Sequence, residues 1–128
     1  MARRSINSDT FWHLNPIPGA SLVGPMLTSG TVPAFDPGER TVPDSFDQQI
    51  ANVFTHVVAL LDAAGGTLDD VLRIDFMVAP GIEKSACNPA YLAHFPDESS
   101  RPARSVSTRD NLQLGSLVAA TFSAYIEP

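Results

Sequence analysis

Residues 46–78 read FDQQIANVFTHVVALLDAAGG, then TLDD, then VLRIDFMV, and this stretch decides the fold. In the first run Phe46, Ile50, Val53, Phe54, Val57, Val58, Leu60 and Leu61 recur at three- and four-residue steps. That spacing puts them on one stripe of an amphipathic helix. Asp44 or Ser45 can cap its exposed N–H groups, and Gly65-Gly66 supplies a left-handed stop. Thr67 and Asp70 have capping-box spacing and predict one short helical turn. In the last run Leu72, Ile74, Phe76 and Val78 alternate with Arg73, Asp75 and Met77. A period of two predicts a strand that buries the first set. Pro80-Gly81 ends it.

Outward from this unit, Ser21–Val23 and Met26–Ser29 predict two short strands joined by a turn at Gly24-Pro25. Asn15-Pro16-Ile17-Pro18-Gly19 is an extended or turning segment, because its prolines fix φ and remove donors. Asp36-Pro37-Gly38 marks a loop. A second, shorter helix is expected over 86–95, packing through Ala90, Tyr91 and Phe95 and stopped by Pro96. Arg104–Ser107 predicts a short strand and Leu117–Ile126 a longer one, rich in β-formers. On the latter, Val118, Ala120, Phe122, Ala124 and Ile126 form one apolar face. Strands with two helices on one side make an α+β sandwich, expected as one domain over residues 1–128.

Composition narrows the function. The chain is 44% hydrophobic and 17% charged, which fits a globular protein and argues against disorder. Eight Lys and Arg against 14 Asp and Glu give a net charge of −6. A nucleic-acid binder needs a basic face to displace counterions, so no nucleic-acid partner is expected. No apolar run is long enough to span a bilayer and no apolar leader opens the chain, so no membrane partner is expected. The single cysteine, Cys87, has no partner for a disulfide and favours a reducing compartment, the cytoplasm by default.

The residues exclude several chemistries. His13, His56 and His94 lack metal spacing, and His56 is expected as a polar residue on the side of the long helix. There is no Gly-rich phosphate loop or Gly-x-Ser-x-Gly elbow. Cys87 with His94 could form a nucleophile and base, but a lone thiol more often packs as a small hydrophobe. What remains is Ser100-Arg101-Pro102-Ala103-Arg104-Ser105. Strand alternation sends the two arginines apart. An arginine at a strand start can offer a planar fork to a carboxylate; by spacing alone, a surface salt bridge serves as well.

Five segments, in order, resemble the Rid (YjgF) family of enamine/imine deaminases. Met26-Leu27-Thr28-Ser29-Gly30 resembles its apolar strand ending in Thr-Ser-Gly. Gln49, Asn52 and Leu60–Gly65 resemble its long helix, and Asp70-Val71 the start of its next strand. Asn88, Tyr91 and Phe95 fit its Asn-x-x-Tyr-x-x-x-Phe helix, and Pro102-Ala103-Arg104-Ser105 its Pro-Ala-Arg signature. Leu112, Gly115 and the final strand fit its C-terminal region, so the resemblance runs from about residue 20 to 126.

The resemblance implies a chorismate-mutase-like fold, a mixed sheet with both helices on one face, and a homotrimer with ligand clefts between subunits. It implies hydrolysis of small 2-imino and enamino acids to 2-keto acids and ammonia, with neither cofactor nor metal. Arg104 would bind the substrate carboxylate and the Val106 carbonyl the imine or its water. Ser29, Gly30 and Asn88 would lie near the cleft, although Asn88 could instead cap the second helix. The sequence departs from the deaminating branch at Thr31, where that branch has Gln, and at Asn15–Pro18, where it has a cleft tyrosine. It departs again at Ala119 and Thr121, where that branch has glutamates. Glu127, Asp97, Glu98, Tyr125 and His94 are the other groups that could transfer protons. Three functions follow: a generic imine deaminase, a pathway-dedicated one acting on an aminomuconate-type intermediate, and a non-catalytic trimer that binds a small carboxylate or a protein partner.

Overall fold

The computed structural model describes residues 2–127; the first and last residues of the expected 1–128 domain lie outside them. The chain forms strands β1 (Arg4–Ile6), β2 (Ala20–Val23) and β3 (Met26–Ser29), then helix α1 (Phe46–Ala64). After a 3-10 turn at Leu68–Asp70 come β4 (Val71–Val78), helix α2 (Asn88–His94), β5 (Ala103–Thr108) and β6 (Val118–Tyr125). One mixed sheet runs in the order β1-β2-β3-β6-β4-β5. Among the described strands only the β4–β5 pair is parallel. It is the one pair joined across a helix, as a parallel crossover requires.

Local chemistry sets the helix ends. The Ser45 hydroxyl accepts from the Gln48 N–H at 3.1 Å, and Gly65 takes the left-handed conformation at φ 84°. There a side chain would press on the following carbonyl, so glycine closes the helix. Thr67 and Asp70 complete the reciprocal capping box. The apolar stripe of α1 lies on one side of the sheet, where Val53, Phe54, Val57 and Leu60 meet Ile74, Phe76, Ala120 and Phe122. Phe54 is packed between the Phe76 and Phe95 rings, 6.0 and 6.1 Å from their centroids, and links α1 to α2. Burying such a side chain contributes about 1.5–3 kcal/mol. No helix among the described residues is long and apolar enough to cross a membrane.

Three expectations need correction. Leu72 does not join the buried face of β4: it is 51% exposed, and Val71 is buried in its place. The β4–β6 register shifts between Val71 and Arg73, and the extra residue turns Leu72 outward. His56 is not a polar residue on the helix side but a fully buried part of the core. The unforeseen β1 pairs antiparallel with β2. The second helix is shorter than 86–95, because Lys84–Cys87 forms a separate 3-10 turn before it.

Candidate functional site

β5 places Arg104 and Val106 opposite Ile74 and Phe76 of β4, on the helix-covered side of the sheet. Asn88 and Tyr91, three residues apart on α2, share one face of that helix and meet Arg104. The guanidinium carbon lies 4.7 Å from the Tyr91 ring centroid, and one terminal nitrogen donates to the Asn88 amide oxygen. Tyr91 in turn donates its hydroxyl to the Pro102 carbonyl at 2.6 Å. This fastens the ring to the entry of β5. Stacking at a partly exposed site contributes about 0.5–1 kcal/mol; its larger effect is to hold the fork in one orientation. No carboxylate neutralises Arg104, since the only ion pair among the described residues is Arg73–Asp75.

Arg101 turns away, as strand alternation predicts. Its guanidinium donates to the carbonyls of Phe95 and Pro96 at 2.9 and 3.2 Å. Asn88 is not the cap of α2: Cys87 holds that position, without a side-chain bond. Burial pushes the Cys87 thiol up, partly offset by the charge of Arg104. A buried, protonated thiol is a poor nucleophile. His94 makes no pair with it. That ring stacks on Phe54 at 3.8 Å and donates through Nδ1 to the Ala90 carbonyl at 2.8 Å.

Ser29 and Gly30 lie elsewhere. The Ser29 hydroxyl accepts from the Phe122 N–H at 2.8 Å, and the Gly30 N–H donates to the Gly19 carbonyl at 3.0 Å. β6 and β4 stand between β3 and β5, so three strand spacings, about 14 Å, separate this pair from Arg104. Within one chain the expected site therefore falls into two halves. One is Arg104, Val106 and Asn88; the other is Ser29 and Gly30.

The uncovered face of the sheet carries two cavities. One, of about 320 Å³, is lined by Ser29, Arg73, Asp75, Thr121 and Ser123. Asp75 lies opposite Thr121 in the β4–β6 register and accepts from Arg73 at 3.0 Å and Ser105 at 2.6 Å. Slight burial raises its carboxyl, but these partners outweigh it and hold the carboxyl below its ordinary value. The other, of about 250 Å³, is lined by Thr31, Pro33, Arg109, Asp110, Gln113 and Ala119. The sequence signals neither Asp75 nor Arg109 as a cavity residue, and Tyr91 only as a packing residue and a member of the family's helix motif. The spacing of Asn88 and Tyr91 on one helix face was the available clue to the platform under Arg104. His13, which lacks metal spacing in the sequence, is half-buried in the fold. Its Nε2 is buried without a hydrogen-bond partner, about 4.0 Å from where a Cβ on Gly30 would stand.

The family model described as endoribonuclease L-PSP matches residues 21–126. The chain belongs to the Rid (YjgF) family. Solved structures share its fold. RidA from the Antarctic bacterium Psychrobacter is 24% identical, with a TM-score of 0.87 over 96% of this chain and 99% of that one. The Rid-family protein YyfA from Yersinia pestis, of unknown function, is 21% identical, with a TM-score of 0.88 over 98% and 100%. Yeast Mmf1 is 17% identical, with a TM-score of 0.86 over 98% and 100%. At these identities the likeness carries the fold, and the mixed sheet with two helices on one face is the Rid architecture.

Proposed function

We propose that this Rid protein hydrolyses small 2-imino and enamino acids to 2-keto acids and ammonia, in clefts between the subunits of a cytoplasmic homotrimer. The observation that carries the reading is the Arg104 guanidinium. It is stacked on Tyr91, steadied by Asn88 and free of any carboxylate among the described residues. Asn88 engages one nitrogen, which leaves the rest of the fork for a carboxylate. The separation of Ser29 and Gly30 from Arg104 supports a cleft completed by a neighbouring subunit.

The chemistry needs little more. An enamine gains a proton at its β-carbon and loses one from nitrogen to become the imine, whose carbon is already electrophilic. With the carboxylate on Arg104 and the Val106 carbonyl accepting from the imine N–H or the incoming water, water adds across the C=N bond. Its proton passes to nitrogen, and the resulting carbinolamine collapses to the keto acid and ammonia. Holding the reactants in place can supply several kcal/mol of the barrier. A general acid–base group would add about 10²–10⁴-fold. Ala119 and Thr121 supply none, so a slow or substrate-selective enzyme is expected. The net charge of −6 weighs against the ribonuclease activity in the name of the family model.

The test is keto-acid release from 2-aminoacrylate generated in situ, for wild type and Arg104→Ala. Release that the variant lacks supports the proposal. Equal background rates in both would remove it and favour a dedicated substrate or a binding role.

A further inference from the structure

Two of the departures from the deaminating branch, Thr31 and Ala119, line the same cavity. A long amide and a carboxylate are both replaced there by short side chains, and the space is shared with Arg109. Among the described residues the guanidinium of Arg109 has one hydrogen-bond partner, the Met77 sulfur at 3.1 Å, and a thioether is a weak acceptor. It has no ion pair among the described residues, not even with Asp110 on the same rim. The cavity of about 250 Å³ far exceeds the ~10–15 Å³ that admits a single water.

The wall that carries Arg109 is held from beneath. The buried Gln49 accepts from the Leu117 N–H at 2.7 Å and donates to the Pro43 carbonyl at 2.8 Å. Ser116 donates to the Gln113 carbonyl at 2.6 Å. Asn111 and Leu114 are both left-handed, at φ 62° and 53°. Leucine pays for that conformation with about 1–3 kcal/mol of strain, a cost concentrated at ligand clamps.

We infer that this cavity is an anion subsite in which Arg109 receives a second carboxylate, so that the substrate is an imino or enamino dicarboxylate. The inference rests on the proposed imine hydrolysis and names its substrate class. Where the deaminating branch would place a carboxylate at residue 119, this chain places a methyl group beside a cation that has no ion pair among the described residues. The sign of the subsite is thereby reversed. A substrate with one carboxylate leaves Arg109 unused, whereas one with two meets a cation at each end. Arg104 and Arg109 leave opposite faces of the β5 strand and its extension, so a ligand touching both bridges two subunits, in keeping with the inter-subunit cleft.

Calorimetric binding of two product analogues, 2-oxobutyrate and 2-oxoglutarate, tests this. Wild type is expected to bind the dicarboxylate at least tenfold more tightly, about 1.4 kcal/mol. Arg109→Gln should weaken 2-oxoglutarate at least tenfold more than 2-oxobutyrate, and Arg109→Lys should keep part of the preference. Absence of a preference in wild type, or one that survives Arg109→Gln, overturns the subsite. If Arg104→Ala still abolishes binding of both ligands in that case, imine hydrolysis stands and the subsite alone fails. Binding of neither ligand to wild type overturns both.

Discussion

The two faces of the sheet obey different rules. The covered face is apolar and closed, with Leu27, Ile74, Phe76, Val118, Ala120 and Ala124 essentially without solvent contact beneath α1. The uncovered face carries Thr28, Arg73, Asp75, Thr121, Ser123 and the cavity beside Arg109. The first is governed by packing, where a change of even one methylene is felt. The second is free of that constraint, and its polar side chains need follow no period. Arg104 sits at the boundary, on the covered side but at the open edge of β5.

The largest expected difference between the faces is in stability. Phe54→Ala should cost about 3–5 kcal/mol in chemical denaturation, because it opens a cavity among Phe76, Phe95 and His94. Asp75→Asn should cost about 1 kcal/mol or less, since Arg73 is half exposed. Similar losses at both sites would break the contrast.

A smaller loss is expected at His56. Its Nε2 donates to the Phe35 carbonyl at 2.7 Å, so its neutral Nδ1 accepts from Thr10 at 2.8 Å. His56→Leu strands both partners and should cost about 1–3 kcal/mol. Burial pushes the His56 imidazole down, more than its bond to Phe35 raises it. The unfolded chain therefore takes up a proton near pH ~6.5 before the folded chain does. Stability is full above that pH and falls as the pH drops from there toward the folded pKa. Denaturation midpoints between pH 8 and 5 should decline in wild type and decline less in His56→Leu; parallel curves would count against this assignment.

Smallest of all is Leu72→Ala, expected to change stability by no more than about 0.5 kcal/mol. Ile74→Ala, two residues on, should cost about 2–5 kcal/mol. Strict alternation in the sequence predicts equal losses, and matched unfolding curves decide between the two patterns.

These sites also mark where the sequence was legible. Helix α1, its caps and most of β6 were readable because one-sided burial imposes a period. The bulge at Val71–Arg73 breaks that period, so strict alternation puts Leu72 on the wrong face. His56 looked like surface because its partners, Thr10 and Phe35, lie 46 and 21 residues away. β1 leaves no signal because a three-residue edge strand is too short to show alternation. In the site, the Pro-Ala-Arg motif pointed to Arg104, and the Tyr91 platform beneath it was half visible in helix spacing. Arg109 was hidden, since a lone arginine in a loop acquires meaning only from the cavity it faces.

The proposed hydrolysis depends most on the guanidinium of Arg104 acting as an oriented fork. Ammonia release and denaturation midpoint, measured side by side for wild type and Arg104→Lys, test that directly. Lysine keeps the charge but loses the planar fork and its stacking, so turnover should fall at least about tenfold, or ~1.4 kcal/mol, with stability nearly unchanged. Wild-type turnover in Arg104→Lys, or turnover lost only in step with stability, would contradict it.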